Sequence, residues 1–226
     1  TIDEIRQNAL AAYASQNRAV TKEDYLARVY SMPSRFGSIA KAYITQDDII
    51  NAESGMNTQN PYALNLYLLA YDENKNLTIV NDTTKENLQT YINQFRMLTD
   101  ALNLRNGYVV NIGVEFDLLL LPGFNAKEVM VRVINEIKIF FDIDKWQFNQ
   151  PIMLSTLSAN MDRVDGVQTI SNLRITNQVN PANGYSGAQY DIDLATHNNI
   201  VYPSLDPMIF EVKYPDKDIR GRVIGW

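Results

Sequence analysis

The chain has no cysteine and a single histidine, His197, among its 226 residues. Without thiols there is no disulfide framework, no thiolate metal site and no cysteine nucleophile. One imidazole excludes every motif that needs two, including the H-E-x-x-H zinc site. Basic residues are outnumbered as well: 20 Lys and Arg stand against 26 Asp and Glu, a net charge of −6. That balance argues against a nucleic-acid partner, because phosphate binding relies on a basic surface. No apolar run approaches the ~18–20 residues of a membrane span; the four leucines 118–121 end at Pro122. The 10 glycines are scattered, so neither a Walker phosphate loop nor a dinucleotide fingerprint occurs, and no G-x-S-x-G elbow is present. No cofactor is expected. The chain opens at Thr1 on a helical pattern, with no basic-then-apolar leader. The expectation is therefore a piece of a longer protein.

What is present is a globular composition, 46% hydrophobic with 8 prolines, enough for a proper core. Ile2, Ile5, Ala9, Ala12 and Tyr13 recur at helical spacing. Thr21 with Asp24 three residues on predicts a capped helix running to about Met32 and stopped by Pro33. A strand is predicted over residues 39–44, a polar loop over 47–61, and a strand over 63–71 that is apolar on both faces and so buried on both. Thr83-Thr84-Lys85-Glu86 has capping-box form, and Leu88, Tyr91, Ile92, Phe95, Leu98 and Leu102 line one face of the helix that follows. Asn106-Gly107 reads as a turn. From Tyr108 to Leu120 every even position is apolar, a strand of roughly 45 Å that must bend near Gly113 or serve two packed layers. Asn125 opens a helix burying Val129, Met130, Val133, Ile134, Ile137 and Phe141. An extended stretch over 146–153, a short helix with Leu154, Leu157, Met161 and Val164, and a strand over 167–175 follow. Helix 24–32 with strand 39–44 has the layout of helix 155–164 with strand 167–175, so two half-units are expected to flank the central strands. After Thr176 the chain turns rich in Asn and Pro. The fold class is α+β: mixed layers of helix-loop-strand half-units around long central strands, with a Pro-rich irregular C-terminal extension.

Candidate chemistry is thin. Glu115 and Asp117 share a strand face and could form an acid/base pair with one pKa raised by the other, as in a carboxylate-dependent hydrolase. The favoured reading is that they line the solvent side of an amphipathic strand together with Asn111. Asp191 and Asp193 suggest hard-cation ligands, but they lack the Gly and distal Glu of a calcium loop, so no metal site is assigned. His197 lies in a polar turn and reads as structural. Tyr62, Tyr67 and Tyr71 could stack bases, though filling a half-buried sheet edge suits an acidic chain better. In the tail, Tyr202, Phe210, Tyr214 and Trp226 stand among prolines and acids and are expected to anchor a protein partner.

The order of these pieces resembles the baseplate J-like family of contractile phage tails. Arg18-Ala19-Val20-Thr21-Lys22-Glu23-Asp24-Tyr25 is similar to that family's A-V-T-x-E-D-Y helix start. Strand 64–71, helix 86–102, strand 108–120, helix 126–141 and the segment Leu154, Leu157, Val164-Asp165-Gly166-Val167 then follow in order. The loop Met32-Pro33-Ser34-Arg35-Phe36-Gly37 is longer than the family's usual Pro-Gly-Val. Residues 199–203, 210–215 and 218–222 resemble the C-terminal part of the large baseplate wedge proteins of T-even-type phages. The resemblance implies three regions: 1–17, a helix continuing from a longer chain; 18–175, the baseplate J-like core; and 176–226, the extension. It implies a structural protein and no enzyme, located in the tail baseplate of the virion and assembled in the host cytoplasm. Its implied partners are itself, through dimer and ring contacts, and other wedge proteins, in a ring around the tail hub that rearranges on sheath contraction; nucleic acid and membrane insertion are not among them.

Overall fold

A computed structural model describes residues 18–46, 63–97 and 100–224. The chain divides into two compact units, the first ending at Asn106 and the second beginning at Gly107. Helices and strands in mixed sheets make the fold α+β. The expected helix over residues 1–17 and the loop over 47–61 lie outside the described residues.

In the first unit, helix α1 (Lys22–Tyr30) begins at the predicted capping box. The Asp24 amide donates to Thr21 Oγ1 at 3.2 Å, and the Thr21 amide donates to the Asp24 carboxylate at 3.0 Å, satisfying two N-terminal donors reciprocally. Tyr25 and Val29, four apart, face inward. Strand β1 (Lys41–Gln46) starts two residues later than the hydrophobic pattern indicated, because a 3-10 turn at Ser34–Phe36 and the positive φ of Gly37 (118°) take up the chain between helix and strand. Strand β2 (Ala63–Tyr71) matches the predicted span and is buried over most of its length. It pairs antiparallel with β1, antiparallel with the two-residue strand β3 (Leu77–Thr78), and parallel with β4 (Ala101–Asn106).

That last strand is a correction. Helix α2 (Asp82–Ile92) is capped by Asn81, whose side chain accepts from the Thr84 amide at 2.7 Å, and it ends at Ile92 instead of continuing to Leu102. Burial over β4 alternates with period two, Leu102 and Leu104 turning inward while Asn103 and Arg105 are exposed, which a helix cannot do. Leu98 lies outside the described residues. Leu66, Leu68, Leu88 and Ile92, with α1, form the core of this unit.

The second unit is organised by β5 (Tyr108–Leu120), which has the predicted span. Strand β7 (Val167–Asn177) pairs with it antiparallel along residues 112–120; β10 (Met208–Glu211) and β11 (Ile219–Ile224) pair with it parallel, the first along 108–111 and the second along 114–119. The length is thus accounted for by successive partners. The register with β7 shifts between Glu115 and Asp117, where Asn172 adopts a left-handed φ of 51°, a bulge on the partner strand. At Gly113 a Cβ would lie 3.0 Å from the Asp218 carbonyl and 2.9 Å from Thr176 Oγ1, so glycine is required by close approach.

Helix α3 (Ala126–Phe140) is capped by Asn125 and buries Val129, Val133 and Ile137; helix α4 (Leu154–Asp162) buries Leu157 and Met161. A second, three-stranded sheet consists of β6 (Ile152–Met153), β9 (Ile200–Val201) and β8 (Thr196–His197). The two half-units are real helix-strand pairs, but they do not flank one common set of strands. Helix α1 with β1 serves β2 in the first unit, and α4 with β7 serves β5 in the second. Two four-residue helices, α5 (Ile192–Ala195) and α6 (Pro215–Asp218), punctuate the later chain.

Candidate functional surfaces

Strand β5 alternates side chains between two faces, yet both faces are covered over most of its length. The expected solvent face is therefore corrected: Asn111 is fully buried and Asp117 nearly so. Glu115 and Asp117 do line one groove of about 430 Å³, together with Asn172, Arg174, Arg220 and Arg222. Asp117 is held there by charge. Arg222 Nε and Nη2 each donate to its carboxylate at 2.9 Å, and Asn172 Nδ2 donates at 2.6 Å. These bonds, the Arg222 pair first, hold the Asp117 carboxyl below its ordinary range. This is the wrong direction for the proton donor of an acid/base pair, and both oxygens are already engaged. Neither Arg222 nor Asn172 was foreseeable, since they join Asp117 from 105 and 55 residues away.

Asp191 and Asp193 serve separate ends. Asp191 caps α5 by accepting from the Leu194 amide at 3.0 Å, while Asp193 pairs with Arg174 at 2.7 Å. Among the described residues no group of three His, Cys, Asp or Glu side chains could hold a metal ion. His197 ends β8 before Asn198 and Asn199, whose φ values of 52° and 60° make the tight turn of a β-hairpin. Tyr67 is buried in the middle of β2, unavailable as a base-stacking platform and no edge filler either. Tyr62 lies outside the described residues. No helix of the described residues is long and apolar enough to cross a membrane.

The four tail aromatics part company. Phe210 is 1% exposed, an inward residue of β10 packed edge-to-face on Tyr190, so it belongs to the unit's own core and cannot anchor a partner. Tyr214 is half-buried and stacks edge-to-face on Tyr185 at 5.3 Å. Trp226 lies outside the described residues. Tyr202 is 45% exposed, and its carbonyl accepts from the Tyr190 hydroxyl at 2.6 Å, which fixes the backbone beneath it. The small sheet explains the exposure. Ile152, Val201 and Thr196 stand in register on one face, with Ile152 and Val201 buried; Met153, Ile200 and His197 stand on the other, and Tyr202 continues that outer face along the chain. Met153 of the same outer face is exposed, as are Leu194 and Leu205 on either side of Tyr202 in sequence.

Two part-buried tyrosine-carboxylate bonds stand apart from these surfaces. Tyr25 donates to Asp100 at 2.6 Å in the first unit, and Tyr185 donates to Asp218 at 2.5 Å in the second. Burial, then the neighbouring carboxylate, pushes each phenol up from 10.0 to about 12. Folding therefore favours the neutral phenols. Their stabilisation is complete below pH 10 and is lost as pH rises toward about 12. Tyrosinate absorbance is expected to show these two phenols titrating late, with Tyr30 and Tyr190 also raised by burial, and the urea midpoint is expected to fall across that window in the wild type. Tyr185→Phe removes one of these ionisations and is expected to make the fall shallower.

No family model matches the sequence, and no curated protein matches it. The α+β fold does have a counterpart among large-assembly proteins. The chain is similar to a chain of the anti-feeding prophage baseplate, solved by cryo-EM with six-fold symmetrisation, with a TM-score of 0.51 and 12% sequence identity. The match covers 78% of this chain and 38% of that one. At that identity the likeness is one of fold, and this chain spans well under half the length of its counterpart.

Proposed function

We propose that the chain is a structural component of a contractile-tail baseplate. The observation that carries this is the shared fold with a baseplate chain over 78% of the sequence. The ordered motifs from Arg18 to Val167 support the finer reading, a baseplate J-like wedge protein in a virion tail, assembled in the host cytoplasm, that self-associates and joins neighbouring wedge proteins in a ring which rearranges on sheath contraction. The work of such a part is done by surfaces. An exposed apolar set centred on Tyr202 and Leu205 is the proposed contact with a neighbour, with Tyr214 and Trp226 as further candidates.

The test is genetic and structural. In the phage or prophage that encodes the chain, its deletion is expected to give particles without a complete baseplate, and a reconstruction of intact tails is expected to show the fold there. Complete baseplates in the deletion strain would overturn the proposal. Within it, Tyr202→Ala with Leu205→Asp is expected to reduce incorporation into baseplates while leaving the melting temperature of the isolated chain within a few degrees.

A further inference from the structure

Among the described residues, most edge strands of four residues or more are blocked. On β1 the Ala42 amide donates outward to the Tyr30 hydroxyl at 2.9 Å. On β7 the Ile170 amide donates to Asp162 at 2.9 Å. On β10 the Met208 amide donates to the Asn149 side chain at 3.0 Å, and the Met208 carbonyl accepts from the Asn149 amide at 2.8 Å. Two of these longer edge strands carry no such plug among the described residues, β4 and β11. An open edge is a template for another strand.

The two open edges differ in what they tolerate. A second copy pairing about a two-fold axis perpendicular to the sheet runs antiparallel, and opposed residues share a face. On β11 the two registers with most overlap set Arg220 against Arg222, or Arg222 against itself, so like charge guards that edge. On β4 the register centred on Asn103 sets Leu102 against Leu104 twice, Asn103 against itself and Arg105 against Ala101. No like charges oppose, and the half-buried leucines extend the apolar layer of the first unit. Beside the edge runs a groove of about 560 Å³ between α2 and β4. Its helical wall carries both signs, Asp82 and Glu86 with Lys85, so two-fold symmetry brings no single-sign field against itself.

We infer that β4 is a self-association edge, on which a second copy of this chain docks antiparallel with Asn103 at the two-fold axis. The inference rests on the self-association within the proposed function and locates it. A chain free of cysteine permits a direct test. In an antiparallel pair opposed Cα atoms lie about 4.5–5.5 Å apart, within disulfide range. Asn103→Cys is therefore expected to cross-link to itself under mild oxidation. Arg105→Cys, four residues out of register with its own mate, is not, but it is expected to cross-link to Ala101→Cys when the two are mixed. Sedimentation of the wild-type chain across micromolar concentrations is expected to show a monomer-dimer equilibrium, with Asn103→Lys raising the dissociation constant about fivefold. A strict monomer, or cross-linking as efficient for Arg105→Cys alone as for Asn103→Cys, would overturn it. A monomeric chain that still enters baseplates removes this inference and leaves the structural role standing. A β4 dimer absent from baseplates supports the inference and sinks that role.

Discussion

Ile112→Ala is expected to cost the second unit about 2–5 kcal/mol, among the largest effects of any single truncation in the chain. Ile112 is fully buried in the middle of β5, in register with Asn177 of β7, with Val110 and Val114 buried two residues to either side on the same face. The loss combines removed apolar surface with a cavity that strands fixed on both edges cannot collapse to fill. Urea unfolding followed by Trp146 fluorescence reads this unit, because that indole is 4% exposed and packed against Phe140 and Phe141 at 5.8 and 5.4 Å. Tyr108→Ala is the internal control, since Tyr108 begins the same strand at 54% exposure and its truncation is expected to stay within about 0.5 kcal/mol. Equal shifts for the two variants would mean that β5 is not the organising strand of this unit.

The same strand shows what the sequence could reveal. The spans of β2 and β5 were legible because alternation or continuous apolarity persists over 9 and 13 residues, and the α1 cap because its Thr and Asp are three positions apart. Such signals are local. The faces of β5 were not legible, because what covers Asn111 and Asp117 arrives from β7, β10 and β11, up to 105 residues away. Leu102 fits the apolar face of α2 and the inward face of β4 equally well, and only the need to pair the remaining edge of β2 makes it a strand. Phe210 misled for a related reason. A single aromatic among prolines and acids looks like surface, whereas Met208-Ile209-Phe210-Glu211 is a four-residue run buried on both faces, the pattern of a parallel strand covered on each side of its sheet.

Asn111→Leu is expected to cost about 3–5 kcal/mol although it replaces a polar side chain in a core with an apolar one of similar size. Asn111 Nδ2 donates to Glu211 of β10 at 2.8 Å, and its Oδ1 accepts from the Ser186 amide at 2.6 Å. Its carbonyl accepts from the Gln178 amide at 2.8 Å and from Asn177 Nδ2 at 3.1 Å, and the Ser186 hydroxyl donates to the Val109 carbonyl at 2.6 Å. One residue of β5 thus fastens three later stretches of chain. Leucine withdraws a donor from a buried carboxylate and the acceptor from an amide at the same moment, and neither change is offset by its extra apolar surface. Asn111→Asp, with the same shape, is expected to cost more at neutral pH because it sets a second carboxylate against Glu211. Asn111→Leu combined with Glu211→Leu removes both members of this bond, and a cost below that of Asn111→Leu alone is the sign that the penalty lies in the broken Asn111–Glu211 bond and not in lost packing. Hydrogen exchange over residues 186–211 distinguishes a global loss from a local one. If the network is what positions the chain bearing Tyr202, protection there is expected to fall first, and incorporation into baseplates with it. A change under about 1 kcal/mol, with exchange unaltered, would mean that strand pairing alone holds β10 to β5.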